Sequence, residues 1–181
     1  VLLGQPQVEV LTALSSLEPP PVRFLVFRGR GGVIGIVDYA HTPDALKNVL
    51  NTIGAVCGDR DRVISVVGCG GDRDKTKRPL MAAIAAGLSR TVILTSDNPR
   101  SEEPMAIIDD MRKGLLPADQ ARAFVNADRR EAIRQALGMA APGDVVLVAG
   151  KGHETYQEVH GVRHHFSDVE VMKETLELLG K

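Results

Sequence analysis

Continuous apolar runs alternate with helix-spaced apolar positions along most of the chain. The runs 33–37, 63–67, 91–95 and 145–149 are apolar at nearly every position. Such runs mark strands buried on both faces. Between them, residues 42–56, 78–88, 103–115 and 128–140 repeat apolar residues at the period of a helix. Thr42 is placed to cap the first of these, with Pro43 at its first position. Shorter strands are predicted over 23–27 and 122–125, with a turn over 29–32. Residues 157–166 read as a hairpin around Gly161, and Ser167 caps a last helix that runs to Leu179. The alternation predicts an α/β fold with a mostly parallel sheet and helices on both faces. The hairpin is expected to add an antiparallel edge near the C-terminus. The first 18 residues read as a short helix that stops at Pro19, Pro20 and Pro21, which cannot continue it. Residues 1–20 are therefore expected to be the tail of a preceding domain and a linker, and residues 21–181 one domain.

Composition narrows the class. At 181 residues, 44% hydrophobic and 25% charged, the chain has the balance of one globular domain. Only 3% of residues are aromatic, so the core must be built from Val, Ile, Leu and Ala. A formal net charge of -1 argues against a dedicated nucleic-acid binder. No apolar run is long enough to span a membrane, and no signal peptide is evident. Cys57 and Cys69 are too few for a disulfide scaffold, so free thiols in a reducing cytoplasm are expected.

In open parallel sheets, ligands bind outside the carboxyl ends of the strands. Residues 38–44, 68–75, 96–100 and 150–154 follow the four strongest runs. Ordinary turns favour Gly, Asp, Asn and Pro. That explains the glycines but not Arg73, Arg100, Lys151 and Glu154 at one topological level. An arginine fork matches a carboxylate or phosphate, and a glutamate matches an ammonium. Arg73, Arg100 and Glu154 in one pocket would describe a zwitterion receptor. The competing reading pairs the arginines with Asp72, Asp74 or Asp97 as ordinary surface ion pairs.

Known nucleotide motifs are incomplete. GxxxxGK[ST] is absent, since Gly150-Lys151 is followed by Gly152. GxGxxG fails at 68–73, where Arg73 stands in place of the third glycine. His153, His160, His164 and His165 lack a cysteine partner, and the hairpin spreads them over both faces, so no metal site is expected. No GxSxG elbow is present, and no aromatics interleave with the basic residues.

Four strings in order carry a family resemblance: DYAHTPDAL (38–46), GCGGDRDKTKRPLM (68–81), TSDNPRSEEP (95–104) and AGKGHETYQ (149–157). Together they closely resemble the C-terminal domain of the Mur ligases, over about residues 20–181. The resemblance implies a Rossmann-like third domain that closes over a site built largely by two others. One of those binds the UDP-sugar; the other carries a P-loop, magnesium ligands and a carbamylated lysine. It implies an amide ligase of peptidoglycan biosynthesis, in which ATP phosphorylates a carboxylate and an amino acid attacks the acyl phosphate. ATP and Mg2+ are implied for the whole enzyme, neither bound strongly by this chain. The chain alone is expected to be inactive, cytoplasmic and monomeric.

The DNPR string implies meso-diaminopimelate as the added amino acid and UDP-MurNAc-L-Ala-D-Glu as acceptor. On that implication Arg73, Asp97, Asn98, Pro99 and Arg100 line the amino-acid pocket, with Arg100 on the distal carboxylate. Gly150 and Glu154 would take the distal ammonium. Asp38 and His41 are implied to face the nucleotide, and Arg23 to reach its γ-phosphate. The group that deprotonates the attacking amine is not assigned. Two alternatives stay open. One is another ligase of the superfamily, such as a lysine-adding, folylpolyglutamate- or cyanophycin-synthetase-like enzyme. The other is a non-catalytic amino-acid-binding module. An oxidoreductase is disfavoured by the failed GxGxxG.

Overall fold

The computed structural model describes residues 24–57 and 62–181. The expected N-terminal helix, its proline boundary and Arg23 lie outside those residues. Strands β1 (Leu25–Arg28), β2 (Ile34–Asp38), β3 (Val63–Cys69), β4 (Thr91–Ser96), β5 (Ala123–Val125) and β6 (Val145–Ala149) form one sheet. Their order is β1-β2-β6-β3-β4-β5. Every neighbouring pair is parallel except β1 with β2.

Burial explains the runs without alternation. β3, β4 and β6 are buried at every position, because helices cover both sides. Helices α1 (Pro43–Cys57), α2 (Lys77–Leu88) and α3 (Pro104–Arg112) lie on one face. Helices α4 (Arg129–Met139) and α5 (Asp168–Leu178) lie on the other. Along β6, Val145, Leu147 and Ala149 enter the first core while Val146 and Val148 enter the second. That is the period-two alternation of a strand with an apolar layer on each side. Each such aliphatic side chain contributes about 1.5–3 kcal/mol on burial.

Helix starts follow the capping residues. Thr42 Oγ1 accepts from the Ala45 N–H at 3.3 Å. Asp128 accepts from the Glu131 N–H, and Ser167 from the Glu170 N–H. These bonds satisfy amides that the first helical turn leaves without partners.

Two expectations need correction. The predicted helix over 103–115 stops at Arg112. Gly114 there lies against the Pro79 carbonyl, and a 3-10 turn over Pro117–Arg122 follows. The hairpin, β7 (Tyr156–Val159) with β8 (Val162–His165), is antiparallel as expected but forms its own two-stranded sheet. The antiparallel edge of the main sheet is β1 instead. The hairpin docks on the loop after β4. The Arg100 N–H donates to the Glu158 carbonyl at 3.0 Å, and the His160 N–H donates to the Arg100 carbonyl at 2.6 Å. It therefore holds a loop at the carboxyl end of the sheet rather than extending an edge.

Candidate functional site

Strand order assembles the site. Because β6, β3 and β4 are neighbours, the loops that leave their carboxyl ends must meet. They enclose a hollow of about 540 Å³, lined among others by Arg73, Asp97, Asn98, Arg100, Gly150 and Glu154. His41, from the loop after β2, lies on its rim, and the His41 carbonyl accepts from Lys77 Nζ at 3.0 Å.

Two of these loops touch backbone to backbone. The Gly71 N–H donates to the Asn98 carbonyl at 2.9 Å. A Cβ at Gly71 would lie 1.8 Å from the Pro99 carbonyl oxygen, so only glycine allows this approach. Pro99 is buried in that contact and does not line the hollow. Arg100 sits in the left-handed region at φ 55°, and its Nη1 donates to the Gly71 carbonyl at 2.7 Å.

The ion-pair reading of the arginines does not hold here. Among the described residues, neither Arg73 nor Arg100 forms a salt bridge. Asp72 instead accepts from Ser101, and Asp74 from Thr76. Both guanidinium charges are therefore available to an anionic ligand.

Glu154 is more engaged than the sequence suggests. Its Oε2 accepts from Lys151 Nζ at 2.9 Å and from Asn98 Nδ2 at 2.8 Å. Lys151 is fully buried, and its ammonium also donates to Asn98 Oδ1 at 3.0 Å. Burial alone would raise the Glu154 carboxyl. The hydrogen bond and charge of Lys151, the Asn98 amide and the Arg100 charge outweigh it, and the group stays below the usual carboxylate range. Lys151 thus fixes the only glutamate of the hollow's lining.

Behind the loops lie two buried arginines. Arg78 donates to Glu102 at 2.8 and 3.0 Å, to Asp110 at 2.9 Å and to the Gly70 carbonyl at 3.3 Å. Glu102 also takes Lys75 and the Asp72 N–H. Chiefly the Arg78 hydrogen bonds hold its carboxyl far below the usual range. Arg129 forks onto Asp168 with two bonds of 2.8 Å. Its remaining donors reach the carbonyls of Ser96, at 3.1 Å, and Ala149, at 3.0 Å. Those are the last residues of β4 and β6, so one guanidinium sets the spacing of the two loops.

The other expected residues behave differently. Asp38 is buried; its Oδ2 accepts from the Phe24 N–H and its Oδ1 from the Ala40 N–H, both at 2.8 Å. Both oxygens thus serve the local backbone, and Asp38 does not line the hollow. Cys69 does line it, but burial pushes its thiol up to about 12, so it is no thiolate nucleophile near neutral pH. No three His, Cys, Asp or Glu side chains among the described residues could hold a metal ion. No helix among them is long and apolar enough to cross a membrane. The sequence reading singled out neither Arg78, Arg129 nor Gln157, whose Nε2 donates to the Asp97 carbonyl at 2.8 Å. Lys151 carried a signal, an isolated charge between two glycines at the end of a buried strand.

Comparison with known proteins gives the same outline. The chain matches the family described as "Mur ligase, glutamate ligase domain" over residues 22–152. It is 59% identical over 174 residues to the UDP-N-acetylmuramoyl-L-alanyl-D-glutamate--2,6-diaminopimelate ligase of Bacteroides thetaiotaomicron, covering 96% of this chain and 36% of that protein. The protein of the same name from Cytophaga hutchinsonii is 52% identical over 181 residues, covering 100% of this chain and 37% of the relative. A solved structure of a ligase of that name superposes with a TM-score of 0.81 at 43% identity, covering 95% of this chain and 34% of the other. The chain thus spans 36% and 37% of the length of these two curated relatives.

Proposed function

The chain belongs to the Mur ligase family, and from that membership we propose that it is the amino-acid-gripping domain of an ATP-dependent ligase that adds meso-diaminopimelate to UDP-MurNAc-L-Ala-D-Glu. The observation that carries the reading is the meeting of two guanidinium groups, Arg73 and Arg100, neither in a salt bridge among the described residues, with Glu154 around one hollow. A ligand end bearing both a carboxylate and an ammonium fits that set. Arg100 takes the distal carboxylate, with Arg73 beside it. Glu154 and the Gly150 carbonyl take the distal ammonium. The other end is left outside the grip, with its amine presented for acylation.

The domain's contribution to the reaction is therefore positioning. Residues 21–181 form this domain, and residues 1–20 the tail of the one before it; a family match that begins at residue 22 supports the boundary. This chain is read as binding neither ATP nor Mg2+ strongly. It has no P-loop string and, among the described residues, no group of carboxylates that could hold a metal. Nucleotide and metal belong to another part of the enzyme, with His41 and Arg23 as this chain's approach to them. The compartment is the cytoplasm. The same reading accounts for discrimination against lysine. Lysine lacks the distal carboxylate and would leave the Arg100 guanidinium with the Gly71 carbonyl but no charged partner.

The test is an NMR titration of the labelled chain with meso-diaminopimelate and, separately, with L-lysine. Shifts at Arg73, Asn98, Arg100, Gly150 and Glu154 with diaminopimelate alone are expected. Equal responses to both amino acids would remove the role given to Arg100. Saturation by L-glutamate instead would favour a folylpolyglutamate-type relative.

A further inference from the structure

The charges around the hollow cancel among its lining residues. Arg73, Lys77 and Arg100 face Asp74, Asp97 and Glu154, three of each sign. The sign of the site is then decided by what lies directly behind it. Two buried arginines lie there, but carboxylates answer both: Glu102, which Lys75 also pairs, and Asp110 hold Arg78, and Asp168 neutralises Arg129 through a two-bond fork. Lys151 lies there too, fully buried, and its only carboxylate partner among the described residues is Glu154 of the lining itself. We propose that Lys151 determines specificity: its buried ammonium cancels the charge of Glu154, leaves the hollow net positive, and so admits an amino-acid end that carries a carboxylate while refusing one that ends in a bare ammonium. The inference deepens the function proposed above and rests on it for the identity of the two ligands.

Geometry supports a dedicated arrangement. Lys151 Nζ donates to Asn98 Oδ1 at 3.0 Å and to Glu154 Oε2 at 2.9 Å. The Glu158 N–H donates to the same Asn98 oxygen at 3.0 Å. Those two donors fix which way the Asn98 amide faces, and its Nδ2 then meets Glu154 Oε2 at 2.8 Å. One carboxylate oxygen is thereby saturated. Oε1 has no hydrogen-bond partner among the described residues and is left as the single acceptor for a ligand ammonium. A zwitterionic end is neutral overall and gains from Arg100 without loss at Glu154. The distal end of lysine is a bare cation, and it meets a site from which Lys151 has already removed the attraction. The Tyr156 ring, itself part of the hollow's lining, lies 5.4 Å from Lys151 Nζ and adds a cation–π contact.

Two measurements test this. The first needs no ligand: the carboxyl carbon of Glu154 is followed by NMR against pH in the wild type and in Lys151→Met. The charged groups bearing on Glu154 are Lys151, Arg100 and Arg129, and Asp97 shares the lining of the hollow with it. Removal of Lys151 should raise the Glu154 midpoint above that of the wild type, while Lys151→Arg should keep it low. The second measurement is the ratio of meso-diaminopimelate to L-lysine affinity. It should fall about tenfold or more in Lys151→Met, with lysine binding gaining, and largely recover in Lys151→Arg. A merely structural lysine would weaken both ligands together and leave the ratio alone. An unmoved Glu154 midpoint overturns the inference whatever binds. If the wild type binds neither amino acid, the substrate reading and the selectivity fall together, and the Glu154 titration still decides the charge role separately.

Discussion

At the scale of single residues, the site is built from backbone positions that few side chains tolerate. Arg100 adopts φ 55°, a left-handed conformation that costs a non-glycine residue on the order of 1 kcal/mol. It persists because the Arg100 N–H, carbonyl and guanidinium all have partners in neighbouring loops. Arg100→Gly should relieve the strain and leave the melting temperature level or higher while abolishing diaminopimelate binding. Arg100→Lys keeps the charge but loses the planar fork, and the affinity for diaminopimelate should fall at least about tenfold. Calorimetric titration beside a thermal melt separates the two effects; binding unchanged in both variants would take Arg100 out of the pocket. Gly150 poses the converse case. At φ 125°, a Cβ would sit 2.6 Å from Asp97 Oδ2. Gly150→Ala should therefore destabilise the fold by about 1–3 kcal/mol. Gly87→Ala, in α2 with nothing near its new methyl, should stabilise it by about 0.5–1 kcal/mol. Urea denaturation of the two variants decides whether the cost lies in the site or in glycine replacement generally.

At the scale of elements, α4 and α5 do more than cover a face of the sheet. Each begins with one half of a buried ion pair, Arg129 and Asp168, both of which sit at their first helical positions. Arg129 reaches from there to the carbonyls that close β4 and β6. Arg129→Met strands the Asp168 carboxylate and should cost about 3–5 kcal/mol, whereas Arg129→Met with Asp168→Leu should cost clearly less. If the double variant is as unstable as the single one, the carbonyl contacts matter more than the stranded charge. This clamp also marks where sequence reading ends. Strands, helices and their caps were legible because period and capping chemistry are local: β3, β4 and β6 lie within two residues of their apolar runs. Arg73, Arg100 and Glu154, which the strand-end rule puts at one level, line one hollow. The partners of those residues were not legible. Arg129 and Asp168 are 39 positions apart, and nothing local links them. The hairpin was recognised from Gly161, but its docking on Arg100 rather than on a sheet edge depends on hydrogen bonds between distant backbones.

At the scale of the whole molecule, the site and the stability of the fold depend on the same carboxylates. Glu102, Asp110, Asp72, Asp74 and Glu154 are all held below their ordinary range in the folded chain. The causes differ: Arg78 for Glu102, Lys113 and then Arg78 for Asp110, and hydroxyl and amide donors for Asp72 and Asp74. Glu154 is lowered by Lys151 and Asn98 against its own burial. A carboxylate depressed by folding binds fewer protons in the native state than in the unfolded one, so it stabilises the fold above the unfolded value. That contribution is complete above the ordinary carboxylate range of about 4 and is lost as pH falls through it toward the folded values. Asp72 and Asp74 are exposed and weigh little, since water screens them. Glu102 is the centre of the effect, because the fully buried Arg78 depends on it for two of its bonds. Urea midpoints should therefore stay level between about pH 6 and 7 and fall steadily below about pH 5. Glu102→Gln should be less stable at neutral pH, fall more gently with acid, and meet the wild type near pH values where Glu102 would be protonated. Parallel curves for the two proteins would mean that Arg78 is satisfied by Asp110 and the Gly70 carbonyl alone. The loops bearing Arg73 and Arg100 would then be joined through the Gly71–Pro99 contact rather than through charge.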